Sequence, residues 1–207
     1  MSVRPPSTTE ALLSSPPAAP ADAEPRLVQK TAAIRAGRLL RRFAVPGIAA
    51  RLVYFWRFRA LISPRAEVEL APGATWGREC VVSSFTKIKI NGPFRMGRRV
   101  HIATGCFIEV SDGGLTIGDD VLIGPNCSIL TSRYVYDRPD VPLHLQGNVS
   151  SGVVIGRNVW IGANAVVLDG AQLGDNCIVA AGAIVSGRIP PNSIVQGDPA
   201  RVIFTRR

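Results

Sequence analysis

The 207-residue chain holds two histidines, His101 and His144, and four cysteines, none of them in a Cys-x-x-Cys pair. A metal site built on three histidines is therefore excluded, and a zinc or redox site built on paired thiols has little support. No apolar run approaches the ~18 residues that cross a bilayer. The start lacks the charged n-region and continuous apolar stretch of a secretory signal, so the expected location is the cytoplasm. Acidic residues are absent from residues 26–66, which carry ten basic ones. The flanks are nearly balanced, net −2 over residues 1–25 and +1 over 67–207, so the overall charge of +9 resides in one short segment.

That charge pattern divides the chain. Residues 1–25 contain six prolines amid Ser, Thr and Ala. Such a composition cannot bury a core and predicts a disordered tail. Residues 26–61 mix arginines with large apolars, as in Arg51-Leu52-Val53-Tyr54-Phe55-Trp56-Arg57-Phe58-Arg59. They predict a basic amphipathic helical segment, split at Pro46-Gly47. On its second piece Ile48, Leu52, Phe55 and Trp56 recur at helical spacing. Two readings stand open. The helix lies on an anionic membrane surface, which would make the protein peripheral at the inner face of the membrane. Alternatively, it packs on the end of the following domain as a cap. Nucleic-acid binding is not expected, because no helix-turn-helix, zinc-finger or aromatic RNA-binding motif accompanies the charge.

The rest of the chain keeps a six-residue metre. An aliphatic residue falls at Ile155, Ile161, Val167, Leu173, Val179 and Val185, and a small or β-branched one four places after each of the first five. The same beat runs through Met96, Ile102, Ile108 and through Ile117, Ile123, Ile129. Neither a helix nor a plain strand repeats at six. The period marks a solenoid whose short strands turn a corner every six residues. Its aliphatics point inward, and Gly156, Gly162 and Gly174 supply corner geometry that other residues resist. Cys106, Cys127 and Cys177 fall on the small inward beat and read as core residues. At eighteen residues per coil, residues 62–207 without the interruption described below make roughly seven coils.

The runs Ile117-Gly118-Asp119-Asp120-Val121-Leu122-Ile123-Gly124-Pro125-Asn126 and Val154-Ile155-Gly156-Arg157-Asn158-Val159-Trp160-Ile161-Gly162-Ala163, with the ending Gly197-Asp198-Pro199-Ala200-Arg201, resemble the hexapeptide-repeat acyltransferases. The sugar and polysaccharide O-acetyltransferases are the most similar branch. The resemblance covers residues 62–207. It implies an all-β domain, a left-handed parallel β-helix with a protruding loop, assembled as a homotrimer. It also implies acetyl-CoA as acyl donor, a carbohydrate acceptor and no metal. A γ-class carbonic anhydrase on the same fold is ruled out by the histidine count.

Residues 131–153 break the metre, since Ile129 and Ile155 are separated by 26 positions, not a multiple of six. So long an irregular excursion is usually functional. In the resembling family it carries a catalytic histidine that takes the acceptor's proton. Here that place holds Tyr134. A phenol of ordinary pKa near 10 is a poor base at neutral pH unless a cation such as neighbouring Arg133 holds the phenolate. His144, in the same loop, is the candidate imidazole, and its plain alternative is an exposed loop histidine. Asp112 and Asp137 are candidate acceptor ligands, or simply turn residues. On the donor side the resemblance assigns Trp160, Ala163, Ala181, Ser186 and Arg201 to the coenzyme A groove, with Arg188 a replacement one step past Gly187, where the family has a lysine. The plain alternatives are small residues that a solenoid needs anyway and solvated surface charge. The substitution at Tyr134 also keeps open a catalytically silent scaffold or CoA-binding protein.

Overall fold

The computed structural model describes residues 47–69, 71 and 73–206. The expected tail and the first part of the basic segment, up to residue 46, lie outside the described residues. The rest is a prism of three parallel sheets wound from one continuous coil. The first face stacks Leu61–Ile62, Val81–Val82, His101–Ile102, Leu122–Ile123, Trp160–Ile161, Ile178–Val179 and Ser193–Gln196. The second stacks Glu67–Val68, Lys87–Ile90, Phe107–Val110, Ser128–Leu130, Val166–Val167 and Ile184–Val185, and the third Thr75–Trp76, Phe94–Met96, Leu115–Ile117, Val153–Ile155, Gln172–Leu173 and Arg188–Ile189. Six complete turns and the opening face of a seventh are thus present, in the left-handed parallel β-helix. Arg201–Thr205 then pairs antiparallel with Ser193–Gln196 and covers the edge of the first sheet.

The metre is kept at two corners and released at the third. Inward residues are six apart across the first-to-second corner in every turn, as in Ile102/Ile108, Ile123/Ile129 and Ile161/Val167. They are six apart across the third-to-first corner as well, from Trp76/Val82 to Ile189/Val195. The second-to-third corner varies: eight residues separate Ile88 from Met96, nine Ile108 from Ile117, 26 Ile129 from Ile155, six Val167 from Leu173 and four Val185 from Ile189. Eighteen residues per coil therefore holds strictly only from Trp160 to Ile178, and every departure is taken at one edge. Lengthening is tolerated there because extra residues can leave the prism without disturbing the inward columns.

The core is those columns. Ile88, Ile108, Ile129, Val167 and Val185 stack with 0–1% exposure behind the second face. The small beat fills the corners, and its cysteines do more than pack. Each thiol donates one turn onward to a backbone carbonyl: Cys80 to Gly97 at 3.2 Å, Cys106 to Gly124 at 3.1 Å, Cys127 to Gly162 at 3.0 Å and Cys177 to Pro190 at 3.1 Å. Burial pushes the Cys80 and Cys177 thiols up, which keeps them unreactive.

The glycines of the repeat serve a purpose other than the expected one. Gly118, Gly124, Gly156, Gly162 and Gly174 do not have positive φ. They are glycine because the next turn lies against them: a Cβ on Gly162 would sit 2.6 Å from the Ala181 nitrogen, and one on Gly118 2.7 Å from the Arg157 nitrogen. The left-handed backbone falls two residues later, at Asp120, Asn126, Asn158, Asn164 and Asn176, with φ of 53–62°. Asparagine and aspartate tolerate that region best among residues with a side chain. Along one corner their amides also pair, Asn158 donating to Asn176 at 2.8 Å and Asn176 to Asn192 at 2.9 Å.

Helix α1 (Gly47–Phe58) closes the lower end of the coil. Tyr54 is 3% exposed, lies 4.6 Å from Trp76 between ring centres, and donates to the Glu69 carbonyl. Burial pushes its phenol up to about 12. Trp76 in turn meets Phe94 at 5.5 Å, so an aromatic stack plugs the prism. The buried side of the helix is therefore Tyr54 with half-buried Phe58, four residues apart, and not the apolar stripe on which the cap reading would rest: Leu52, Phe55 and Trp56 point outward. The reason is that the ring of Tyr54 both fills the open end and reaches a backbone acceptor there, which Trp56 does not.

Two substitutions separate the roles of space and backbone angle. Gly162→Ala is expected to cost about 1–3 kcal/mol in urea unfolding, because backbone must shift. Gly182→Asn, at φ +71 with nothing within 4 Å of a Cβ, meets no clash and carries only the cost of left-handed backbone, which Asn tolerates best, and is expected to cost about 1 kcal/mol or less.

Candidate active site

The variable edge gathers the polar residues. Going up it turn by turn come Asp112, the loop of residues 131–152, Asp169 and then Ser186 to Arg188. With turns ~4.8 Å apart, Asp112 and Ser186 are ~14 Å apart along the edge.

The neck of the loop is held by a set of hydrogen bonds centred on buried Thr131. Thr131, fully buried, accepts the Ser111 backbone N–H at 2.6 Å. The Ser150 hydroxyl donates to the Thr131 carbonyl and accepts the Gly113 N–H at 2.7 Å. From the turn above, Asp169 accepts the N–H groups of Ser151 and Gly152 at 2.7 and 2.9 Å. Its side chain is only 2% exposed, and its other oxygen faces Arg133 at 3.4 Å. Both strands of the excursion are thus tied to the turns below and above, so the loop leaves the prism at a fixed angle.

Beyond the neck, Arg133–Tyr134 pairs antiparallel with Asn148–Val149, Tyr134 opposite Asn148. His144 sits in a short 3₁₀ turn, Leu143–Leu145, at the outer part of the loop. Gln146 is the loop's own core. Buried among exposed neighbours, it donates to the carbonyls of Arg138 and Val141 at 2.8 and 2.7 Å and accepts the Arg138 N–H at 3.1 Å. Tyr134, Tyr136, Asp137 and His144 are all exposed around it. Because neighbours on a strand point to opposite sides, Arg133 turns toward Asp169 and Tyr134 away from it.

The donor-side residues divide between two edges. Ala163 and Ala181 lie one above the other at the first-to-second corner, where the Gly182 N–H bonds the Ala163 carbonyl at 2.8 Å. The chain returns to that same corner after the cis Asp198–Pro199 bond, since the Ala200 N–H bonds the Ile184 carbonyl at 2.8 Å, and Arg201 follows. Trp160 projects from the adjoining first face, 53% exposed, paired with Leu122 below and Ile178 above. Ser186 and Arg188, by contrast, stand on the loop's edge, across the second face from Ala181. Asp112 is exposed just beneath the neck, in a turn closed by the Gly114 N–H on the Ser111 carbonyl. Among the described residues no group of three or more His, Cys, Asp or Glu is placed to hold a metal.

Comparison with known proteins agrees with this architecture. Residues 152–187 match the bacterial transferase hexapeptide family (six repeats), and residues 114–132 the hexapeptide repeat of succinyl-transferase. A putative acetyltransferase of Saccharomyces cerevisiae is 34% identical over 134 residues, covering 61% of this chain and 67% of the yeast protein. The chain belongs to the hexapeptide-repeat acyltransferases. The galactoside O-acetyltransferase of Escherichia coli K12 is 38% identical over 117 residues, 53% of this chain and 56% of that protein. The chain spans about half the length of most of the curated relatives it matches. In fold it is similar to a mutant N-acyltransferase from Bacillus cereus solved with dTDP and coenzyme A, with TM-score 0.65, 18% identity, and coverage of 75% of this chain and 88% of that one.

Within this hexapeptide-repeat acyltransferase, two residues that organise the loop escape a reading of the motifs. Asp169 precedes Gly170 and reads as an ordinary turn. Gln146 lies in a segment without periodicity, so nothing marks it as buried. Gln146→Ala is expected to leave the melting temperature of the coil unchanged while limited proteolysis within residues 136–147 accelerates. Asp169→Ala, which removes the acceptor of the Ser151 and Gly152 N–H groups, is expected to lower stability by about 1 kcal/mol as well.

Proposed function

We propose that this chain transfers an acetyl group from acetyl-CoA to a hydroxyl of a sugar or of a polysaccharide or lipopolysaccharide precursor. The observation that carries the reading is the conjunction of the coil with a loop of residues 131–152 tethered at its neck to Ser111, Gly113 and Asp169. The galactoside O-acetyltransferase it resembles acts on a sugar by name. In the reaction, the acceptor oxygen attacks the thioester carbonyl while a base on the loop removes its proton. The tetrahedral oxyanion is stabilised by backbone N–H groups and collapses, and the carbon–sulfur bond breaks to release CoA with the proton.

We assign the base to His144 and place Tyr134 beside the acceptor path. Imidazole, with ordinary pKa near 6.5, suits a neutral-pH base, and phenol does not. Asp112 and Asp137, both exposed on the loop side, bind acceptor hydroxyls. Trp160, Ala163, Ala181 and Arg201 hold the donor, Ser186 and Arg188 assisting from the loop edge. His144→Ala is expected to reduce turnover, followed by release of free thiol in the presence of sugar acceptors, by about 10²–10⁴-fold with little change in acetyl-CoA affinity. Tyr134→Phe is expected to cost far less. Full turnover in His144→Ala with loss in Tyr134→Phe would overturn the assignment. The tyrosine at the family's histidine position favours one second reading, a silent CoA-binding scaffold, for which acetyl-CoA binds and no variant except Tyr134→His turns over.

The chain is proposed to work as a homotrimer. Most donor residues lie on one edge of the second face and the loop on the other, so a neighbour's loop set against the donor edge completes a site that one chain leaves divided. Neighbouring Leu122 and Trp160, each about half exposed on the flat first face, with half-exposed Leu61 at the lower end of the same face, support self-association. All four cysteines are free, as a reducing cytoplasm keeps them. Light scattering is expected to give three chains per particle. Co-refolding the loop variant His144→Ala with the donor-edge variant Ala163→Trp should restore part of the turnover that each lacks. A monomeric mass, or no complementation, would refute the shared site.

A further inference from the structure

Helix α1 spends one side on the coil and leaves the other unmatched. Leu52, Val53, Phe55 and Trp56 are 53, 48, 46 and 80% exposed. Four bulky apolar side chains in solvent on one short helix are not what capping requires, since Tyr54 and Phe58 already do that. Next to them is a cleft lined by Phe55, Trp56, Arg57, Arg59 and Arg78. Arg78 comes from the first turn of the coil, not from the helix, so the basic rim is assembled by folding. Among the described residues none of these three arginines forms an ion pair with a carboxylate. The adjacent acid in the chain, Glu79, is a single carboxylate against three guanidiniums. No helix among the described residues is long and apolar enough to cross a membrane.

We propose that this face docks on an anionic phospholipid surface, the apolar residues entering the headgroup–acyl boundary and Arg57, Arg59 and Arg78 receiving lipid phosphates. Both halves of the chemistry are needed. An interfacial helix couples buried apolar area to attraction for anionic headgroups. The chain's own preceding segment is a poor occupant: residues 26–46 hold six basic residues and no acidic one, so they repel the arginines and add to the attraction for an anionic surface. A nucleic-acid backbone satisfies the arginines but offers no apolar layer for Leu52, Val53 and Trp56. Docking here would set the axis of the prism against the membrane through its capped lower end and leave the loop edge open. The inference is separate from the proposed acyl transfer, and its test requires no activity.

The test is co-sedimentation of the full-length protein with vesicles of phosphatidylcholine alone and of phosphatidylcholine with phosphatidylglycerol. Binding is expected only to the anionic vesicles and should weaken as salt is raised. Trp56→Ser should reduce partitioning about tenfold, and Arg78→Glu about fivefold or more, with Arg78→Lys close to wild type. Both side chains are exposed, so thermal melts should not change, and a melt that does change is replaced by the Phe55→Ser variant. Binding that is unaffected by Trp56→Ser and Arg78→Glu would overturn the proposal, because it would then belong to the basic stretch before residue 47. Displacement by millimolar inorganic phosphate would overturn it in favour of a soluble phosphate ligand. Duplex DNA that competes with the vesicles, with affinity insensitive to Trp56→Ser, would overturn it in favour of nucleic acid.

Discussion

Every turn of this protein lies one hydrogen-bonded strand spacing, ~4.8 Å, from the next, and that distance governs the rest. Whatever stands at a position must accept its counterpart directly above and below. At the corners this leaves no room for a Cβ on Gly118, Gly124, Gly156, Gly162 or Gly174, each of which would press on backbone of the following turn. Two residues on, the chain must swing through left-handed backbone, and Asn or Asp stands there in most turns. The thiols of Cys106 and Cys127 have a carbonyl of the next turn at hydrogen-bond distance for the same reason. A residue type is selected here by its vertical neighbour more than by its own propensity.

The same constraint explains where function can be placed. Two corners keep a six-residue step in every turn, because the inward columns on either side leave no slack. The third corner takes four, six, eight, nine or 26 residues. Only there can the chain carry side chains that have no copy above or below them. Asp112, the loop with Tyr134 and His144, Asp169 and Ser186 all share that edge. A solenoid is thus a uniform scaffold with one permissive margin, and the residues proposed for the acceptor side collect there, while most of those proposed for the donor stand on the regular corner opposite. Rigidity is not lost, since Asp169 and Ser150 return the loop's first and last residues to the hydrogen-bonding order of the turns.

What the sequence discloses follows from this division. The inward columns are legible because each is repeated many times, so Ile102, Ile123 and Ile161 announce one another. The place where the chain leaves the coil is legible as lost rhythm. The reason for the glycines is not, since a tight corner and a tight neighbour select the same residue, and only the φ angles and the distance to the next turn tell them apart. Nor is the face of α1. Leu52, Phe55 and Trp56 form the better apolar stripe by spacing, yet Tyr54 is buried, because the cap is chosen by fit to Trp76 and by an acceptor at Glu69. Gln146 and Asp169 are illegible for a further reason: each acts through backbone groups, Gln146 across its own aperiodic loop and Asp169 on the turn below, and no side-chain pattern encodes those partners.

The geometry of Arg133 bears on the question left by the tyrosine in the loop. An ordinary phenol would have to be brought down by about three pKa units to serve as a base at neutral pH, some 4 kcal/mol of preferential stabilisation of the phenolate. A cation held against the ring oxygen could supply a good part of that. Arg133 is the neighbouring cation in the chain, but its guanidinium faces the buried carboxylate of Asp169 across the neck, and alternation along the strand sends the two side chains to opposite sides. Asp169 also holds two backbone N–H groups, so drawing Arg133 away would cost order at the neck as well as an ion pair. The arginine that would make Tyr134 a base is thus engaged in holding the loop that carries it. On the proposed mechanism the proton therefore falls to His144, an exposed imidazole with no hydrogen bond or ion pair among the described residues, and Tyr134 is left to shape the path of the acceptor.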